Sequence, residues 1–351
     1  MTRTPLDAAE VKQMALDLGA DLVGIAAADT LNAFPPDPRW PQTPERITPY
    51  CRSVIVIALA IPVAVFRTKL SITVQYMDQA ILRRLDKVCH RVARKLEQHG
   101  WPSFITMGQE TDLSMKNGSY GRLSTRHLGV EAGMGTLGLD VNILTPEYGP
   151  RVYLTGILTE LELAADAPMT EQVCIGESCS RCLHSCPTDA VLHYGLDKRD
   201  CAQAAQEFGY GVSTAFMRDY FEADAEGRKR MIRDRNIFGL WQGLLRVAGS
   251  FGDCPRCMAV CPAGNDYHAF LADPQKQIPE RTDAKAERGR EYRRIRREGG
   301  DAPGLDDWNI RWVGPEGYRG LVARELQAFK KREAAKIEAG RAAAESGDRA
   351  P

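Results

Sequence analysis

The sequence predicts a mixed α/β (α+β) fold, in which a helix-and-strand domain precedes a smaller domain organised by cysteines. Amphipathic helical stretches alternate with β-branched apolar runs over residues 7–163, which is the pattern of a mixed domain. Eight of the ten cysteines lie between residues 174 and 261. The chain of 351 residues is 44% hydrophobic and 26% charged, so it is long enough for two domains with buried cores.

The first elements are a helix and two strands. Residues 7–18 predict a helix that begins after Asp7, a good N-cap, and ends at Gly19. The runs 20–27 and 53–61 are apolar and β-branched, which favours buried strands.

The rest of the first domain continues this alternation. Residues 74–99 carry apolar side chains at helical spacing and predict a long helix. "PSFITM" (102–107) predicts a returning strand, and 133–163 alternates glycine-rich turns with short strands. Residues 276–300 are charged and lean basic, and 321–351 predict an exposed helix that ends in a tail.

These features predict three segments: an α/β domain over 1–168, a cysteine domain over 169–272 and a charged extension over 273–351. Formal net charge is zero, from 46 basic and 46 acidic residues, which argues against a protein that coats nucleic acid or an anionic membrane. The start has no apolar export signal, and the longest apolar run, 54–66, is too short to span a bilayer. We therefore expect a cytoplasmic protein with no membrane segment, in which cysteines bind metal rather than form disulfides.

Two cysteine motifs define the second domain. "CIGESCSRCLHSCP" (174–187) and "CPRCMAVCP" (254–262) both end in C-x2-C-x3-C-P, which is the pattern of bacterial ferredoxins that hold two [4Fe–4S] clusters. In that pattern the cysteine that precedes the proline ligates the other cluster. The first loop departs from the usual spacing, because Cys174 lies five residues before Cys179 instead of three.

The pattern predicts eight ligands for two clusters. The first cluster would use Cys174, Cys179 and Cys182, with Cys261 as the distant fourth ligand. The second would use Cys186, Cys254 and Cys257, and Cys201 is the candidate for its fourth ligand. Cys51 and Cys89 then remain as buried thiols. Zinc is the alternative, since C-x2-C pairs also bind zinc, but it does not account for two C-x3-C-P endings.

A family resemblance connects these motifs to a chemistry. The segment "AGMGTLGLDVNILTPEYGPRVYLTGILTELEL" (132–163), the two motifs that follow it, "LGADLVGIA" and "PERITPYCRSVIVIALAIP" resemble the family of epoxyqueuosine reductases and reductive dehalogenases. The resemblance covers residues 8–265. It implies a nitroreductase-like domain that holds cobalamin base-off, followed by a ferredoxin-like domain with the two clusters.

The resemblance also implies site residues. Cobalamin would be contacted by Gly133, Gly135, Gly138, Asn142, Arg151 and Tyr153. Glycines let the backbone approach a large planar ligand, although ordinary turns also use them. The chain lacks the D-x-H-x-x-G signature of proteins whose histidine replaces the lower ligand of cobalamin, since Asp266 and His268 have no glycine three residues later.

A proton donor near the cofactor completes the predicted site. Epoxyqueuosine reductases carry an aspartate where this chain has Ser119, and reductive dehalogenases use a tyrosine in this neighbourhood, so Tyr120 is the predicted catalytic residue. The other donors near it in sequence are Glu110, Asp112, Lys116 and His127.

These expectations favour a reductive dehalogenase-like enzyme for a small organic substrate. An external low-potential donor such as ferredoxin or flavodoxin would supply electrons, because no flavodoxin or dinucleotide-binding fingerprint is present. One alternative is reduction of epoxyqueuosine in tRNA, which would be the one nucleic-acid partner. Another is an electron carrier without a corrinoid. The basic stretch 281–297 is either a solvated helix face or a surface for phosphate or an acidic donor.

Overall fold

The structure is a computed structural model that describes residues 3–37, 42–67, 71–108, 110–114, 120–206, 209–234, 236–246, 254–265, 282–298 and 310–312. The helices are α1 Ala8–Asp17, α2 Ala28–Ala33, α3 Ser71–Gln98, α4 Thr125–Glu131, α5 Arg181–Ser185, α6 Lys198–Ala205, α7 Tyr210–Glu222, α8 Ala225–Arg233, α9 Asn236–Arg246, α10 Arg256–Val260 and α11 Asp283–Glu298. The strands are β1 Leu22–Ala27, β2 Ser53–Ala60, β3 Ser103–Ile105, β4 Thr136–Leu137, β5 Ile143–Leu144, β6 Val152–Thr159, β7 Val191–Leu192, β8 Gly195–Asp197 and β9 Ile310–Trp312.

The first helix forms where the sequence predicts it. The Asp7 carboxylate accepts a hydrogen bond from the Glu10 backbone N–H at 2.8 Å, and the Glu10 carboxylate accepts one from the Asp7 N–H at 2.8 Å. This capping box satisfies two donors that the first turn would otherwise leave unbonded. Gly19 then takes φ +104° just beyond the helix, where a residue without Cβ adopts the left-handed region at little cost.

A four-stranded sheet forms the centre of the first domain, with strand order β1-β2-β6-β3. All three pairings are antiparallel, so of the two descriptions predicted, α+β is the one observed. The mixed helix-and-sheet character predicted from sequence is confirmed.

Alternate residues of β2 serve two cores on opposite faces of the sheet, as the period of two in a strand requires. Ile55 and Ile57 face the core that includes Leu85 of α3, whereas Val54 and Val56 face the core beneath α4. Because both faces are covered, β2 reads as a continuous apolar run.

The cysteine region packs directly on this domain. The short helices α5 and α10 contact one another, and an Arg256 Nη1 atom donates to the Ser185 carbonyl at 3.4 Å. Met258 of α10 lies in the same core as α1 and α3. The two cysteine motifs are therefore held together and held against the sheet domain.

Helix α11 contains most of the predicted basic stretch. One of its basic side chains is buried against the first cysteine motif, so the helix is not solvated on all sides. The Lys285 side chain is buried and its Nζ donates to the carbonyls of His184 at 3.1 Å and Cys186 at 2.8 Å. Among the described residues, no helix has the length and apolar character needed to cross a bilayer. The predicted terminal helix over 321–351, together with Lys116, Ser119, Asp266 and His268, lies outside the described residues.

Candidate functional site

Four cysteines line one pocket. They are Cys174, Cys179, Cys182 and Cys261, the set that the motif spacing assigns to the first cluster. The turn from Gly138 to Asp140 closes the pocket on the side of the sheet domain. The longer first loop makes this possible with a short 3-10 turn at Gly176–Ser178, where Gly176 takes φ +84°.

The chemistry of these thiols suits metal binding. All ten cysteines carry thiols rather than disulfides. Burial raises the pKa of Cys182 well above its ordinary value and that of Cys261 to about 12, and the nearby Asp140 carboxylate adds to both effects. A bound metal centre has the opposite effect and lowers the pKa of these thiols, because its positive charge stabilises a buried thiolate.

The second predicted set lies on or next to three helices, α5, α6 and α10. Cys186 is buried at the end of α5, and Cys201 of α6 packs against the small core that contains it. Asn142 Nδ2 approaches Cys257 Sγ at 3.7 Å. In the described parts of the chain, no three His, Cys, Asp or Glu side chains are close enough to hold a single metal ion.

The thiols of this pocket match the predicted iron–sulfur group in number and in ligand type. A [4Fe–4S] cluster takes four thiolates, one for each iron, and four thiols line this pocket. The assignment of all eight ligands stays a prediction, and four cysteines also suit zinc.

The three glycines predicted to contact cobalamin have packing reasons for lacking a side chain. A Cβ on Gly133 would lie 2.5 Å from the Ala167 carbonyl oxygen, and one on Gly138 would lie 2.9 Å from an Asp140 carboxylate oxygen. A Cβ on Gly135 would overlap the Leu144 carbonyl, with its carbon at 2.8 Å. Protein atoms therefore occupy the space that these glycines leave.

The polar residues predicted to contact cobalamin are also engaged by protein. Arg151 is fully buried, and its guanidinium donates to three carbonyls in and just after the second cysteine motif: Met258 and Cys261 at 3.3 Å each and Ala263 at 2.6 Å. Asn142 Nδ2 donates to Asp140 at 2.9 Å, and Tyr153 packs against the core of the sheet domain. In the described part of the chain, none of the six residues lines the Tyr120 cavity described next.

Tyr120, the predicted proton donor, is buried and lines a separate cavity of about 260 Å³. Lys198 places its Nζ 3.4 Å from the centre of the Tyr120 ring, which is a favourable cation–π position. The cavity is also lined by Glu110, Arg126 and Thr106. Lys198 belongs to the cysteine domain, so both domains contribute to this cavity.

The competing donors are less well placed. Glu110 lines the cavity, but its carboxylate accepts hydrogen bonds from Arg122 at 3.1 and 2.5 Å. Hydrogen bonds from Ser114, with a further one from Arg46, lower the pKa of Asp112, so this carboxyl stays ionised. His127 is buried in α4 and does not line the cavity.

Arg126 and Asp140 line different sites, and the charge of Arg126 acts on the carboxyl of Asp140. Burial raises the pKa of Asp140, and the positive charge of Arg126 acts in the opposite direction. Arg126 lines the Tyr120 cavity, whereas Asp140 lines the cysteine pocket. The two sites are thus within electrostatic reach of one another.

Sequence reasoning missed Arg126, Lys198 and Lys285. None belongs to a sequence motif, and each is near the site because it interacts with a residue of another segment. The one available signal was the position of Lys198, three residues before Cys201.

Comparison with curated proteins finds sequence relatives. Epoxyqueuosine reductase of Bacillus subtilis is 26% identical over 280 residues, which are 74% of this chain and 64% of that protein. The enzyme of the same name from Bacillus cereus is 31% identical over 241 residues, 66% of this chain and 54% of that protein. Tetrachloroethene reductive dehalogenase of Dehalobacter restrictus is 27% identical over 164 residues, 45% of this chain and 27% of that protein.

Solved structures of proteins with similar names also match this chain, at lower sequence identity. A selenomethionine-labelled epoxyqueuosine reductase matches with a TM-score of 0.47 and 20% identity, over 78% of this chain and 70% of the other. A reductive dehalogenase described as B12-dependent matches with a TM-score of 0.47 and 16% identity, over 76% of this chain and 34% of the other. No protein-family profile matches the chain.

The resemblance predicted from the sequence is confirmed by these relatives, which carry both names. The chain spans between about half and two thirds of the length of the epoxyqueuosine reductases named above.

Proposed function

We propose that this chain, a relative of the epoxyqueuosine reductases and reductive dehalogenases, is an oxidoreductase that reduces epoxyqueuosine in tRNA. The sequence alone favoured a dehalogenase-like activity. We rank epoxyqueuosine reduction above dehalogenation, because the matched epoxyqueuosine reductases cover 74% and 66% of the chain and the matched dehalogenase covers 45%. Reduction of a small organic halide remains the second candidate, and Tyr120, the tyrosine expected of that chemistry, is the observation that favours it.

The observation that carries the proposal is the extent of the match to epoxyqueuosine reductases, and the Tyr120 cavity is the proposed place of reaction. A buried tyrosine and a lysine line a cavity of about 260 Å³, and Arg126 relates this cavity to Asp140 beside the cysteines. Ligand pockets are commonly about 300–1,000 Å³, so this one suits a small molecule or the reacting end of a larger one. A small organic halide and the epoxyqueuosine base of a tRNA both belong to these kinds of ligand.

The protein groups have separate roles in this proposal. Cys174, Cys179, Cys182 and Cys261 hold one [4Fe–4S] cluster, and Cys186, Cys254, Cys257 and the intervening Cys201 hold the second. When bound, the clusters supply one-electron transfer at low potential. Tyr120 donates a proton from its hydroxyl to the substrate, and Lys198 keeps the ring in position.

The proposed function includes cobalamin, the cofactor that the family resemblance implies. In this proposal residues 1–168 form the nitroreductase-like domain for base-off cobalamin, 169–272 the ferredoxin-like domain and 273–351 an extension. An external low-potential donor and a reducing, cytoplasmic setting belong to the same proposal, in keeping with ten thiols and no disulfide.

Anaerobic purification tests the cofactors first. About eight iron and eight sulfide per chain are expected for two clusters. Four or fewer after full reconstitution would contradict this count, and one or two zinc atoms would establish the zinc alternative. Gel filtration after incubation with hydroxocobalamin should show co-eluting corrinoid absorbance. Cluster-loaded protein without it would indicate an electron carrier.

Substrate assays then test the activity. Reduced methyl viologen supplies electrons, and the substrates are a tRNA stem loop that contains epoxyqueuosine and a halogenated phenol. Turnover of the stem loop supports the proposal. Turnover of the halogenated phenol alone restores the dehalogenase-like reading, and turnover of neither by fully loaded protein contradicts both.

A further inference from the structure

A basic cavity of about 820 Å³ lies between the first cysteine motif and α11. Its floor includes Cys179 and neighbouring residues of the first motif, and its wall is formed by the side of α11 that carries Lys285, Arg288, Arg290 and Arg293. Arg181, between two predicted cluster ligands, completes the lining on the side of the cysteines. The cavity thus opens beside the predicted position of the first cluster.

The charge of this cavity is strongly positive. Lys285 and Arg288 approach the Asp189 carboxylate at 3.2 and 3.5 Å, so these two cations are partly balanced within the protein. Within the described chain, no acidic side chain forms an ion pair with Arg181, Arg290 or Arg293.

The other titratable groups change this balance little. Glu177 is the one acidic residue among the described residues that line the cavity, together with the imidazoles of His184 and His193. Burial lowers the pKa of His193 to about 4, so this ring is neutral near pH 7. The positive charge therefore comes from the guanidinium groups and the Lys285 ammonium group.

The position of the cavity indicates which partner it serves. Its described lining shares no residue with that of the Tyr120 cavity, where the substrate is proposed to react. It does share Cys179 with the cysteine pocket. Electron transfer between proteins slows steeply with distance, so a donor gains from docking directly over a cluster ligand, whereas a substrate that reacts at Tyr120 does not.

We propose that the cavity lined by Arg181, Arg290 and Arg293 is the docking site for an acidic, low-potential electron-donor protein. The inference rests on the proposed function, since it requires a cluster at Cys179. A donor with acidic residues around its redox centre would place that centre over the first cysteine motif. One electron then passes from the reduced donor to the oxidised cluster, and no bond is made or broken. Positive clefts of this kind accelerate association by about 10- to 1,000-fold at low salt.

The test measures how fast the clusters are reduced. Anaerobic stopped-flow mixes cluster-loaded protein with flavodoxin hydroquinone, or with reduced ferredoxin, and follows the loss of visible cluster absorbance. The variants are Arg290→Gln/Arg293→Gln, which leaves the cysteine motifs untouched, and the triple variant that adds Arg181→Gln. A control triple, Arg218→Gln/Arg230→Gln/Arg294→Gln, removes the same charge from residues that do not line this cavity. Methyl viologen radical serves as a small cationic reductant that needs no docking.

The expected result is specific to the protein donor. At low salt the second-order rate constant should fall about tenfold in the double variant and further in the triple variant, and its salt dependence should weaken. The control triple should match the wild type, and methyl viologen should reduce all forms equally. Unchanged donor rates, or equal losses in the control triple, would overturn the docking site. So would variants that keep the donor rate but lose affinity for an RNA stem loop, because the surface would then belong to RNA.

Failure of the two proposals can be told apart. Wild-type protein that holds no iron after reconstitution defeats the proposed function, and the docking site with it. Iron-loaded variants that accept electrons from flavodoxin at the wild-type rate defeat the docking site alone.

Discussion

Substitution of Gly135 by alanine separates two explanations of the glycine-rich segment. If this glycine exists so that a corrin can approach, an added methyl group leaves the cofactor-free protein intact and weakens only cofactor binding. If it exists for packing, the methyl group destabilises the protein itself. The structure favours packing, because a Cβ on Gly135 overlaps the Leu144 carbonyl oxygen and lies 2.8 Å from its carbon and 3.1 Å from Ile143 Cγ1.

The contacts of this Cβ set the expected magnitude. Overpacking a core typically costs about 1–3 kcal/mol, and here the obstacle is the backbone of β5 rather than the end of a flexible side chain. We therefore expect a cost near the upper end, about 3 kcal/mol. For a domain of the predicted size this lowers the Tm by about 6–12 °C.

Thermal unfolding of cofactor-free protein, followed by circular dichroism, measures the effect. Gly211→Ala is the matched control, because a Cβ there meets no atom within 4 Å and α7 accepts alanine. Its Tm should stay equal or rise slightly, since alanine is better than glycine in helices by at most about 1 kcal/mol. A Gly135→Ala variant with wild-type Tm and reduced hydroxocobalamin affinity would refute the packing argument and support the corrin contact.

Three further predictions concern the site and its surroundings. Tyr120→Phe should lower turnover by at least about 100-fold while iron content and substrate affinity persist, whereas Tyr50→Phe, at a side chain 68% exposed, should leave turnover unchanged; normal turnover of the first variant would place the donor elsewhere. Cys182→Ser should remove about half of the bound iron, and Cys89→Ala, at a buried thiol outside the motifs, should retain all of it; equal iron in both would exclude Cys182 as a ligand. The pKa of His193 falls from 6.5 to about 4 on burial, so the unfolded chain binds more protons and about 3 kcal/mol of stability should disappear as pH falls from about 6.5 to about 4; in urea unfolding His193→Phe should flatten this dependence, and an unchanged dependence would rule His193 out as its source.

The sequence predicted the sheet domain well because its signals are local. The Asp7 cap, Gly19 and the apolar run of β2 act within a few residues of themselves, so α1 and β2 appear within one or two residues of their predicted bounds. The direction of pairing was not predictable from the same signals, since an apolar strand buried on both faces reads alike in parallel and antiparallel sheets.

For a related reason, the sequence predicted the cysteines of the site but not the other residues that meet there. Cysteine spacing constrains which sulfurs can converge, and the four assigned to the first cluster do line one pocket. No spacing rule connects Tyr120 to Lys198, or Arg126 to Asp140, because their partners belong to other segments. Arg151 is the clearest case, since a basic residue on a strand gives no sign in the sequence that three distant carbonyls will accept its hydrogen bonds.

The contacts of the glycine-rich segment show where the two halves of the protein are joined. Arg151 begins the approach to β6, a central strand of the sheet, and its guanidinium holds the chain that follows α10. Asn142 approaches Cys257, and the Leu139 carbonyl accepts a hydrogen bond from the Tyr194 N–H at 2.9 Å. Each of these contacts crosses from the sheet domain to the cysteine domain. In the proposed function, electrons pass from the cysteine pocket to a substrate in the Tyr120 cavity, and residues from both sides of this boundary line that cavity. The segment that the family resemblance assigns to cofactor contact therefore also joins the two regions between which the proposed transfer takes place.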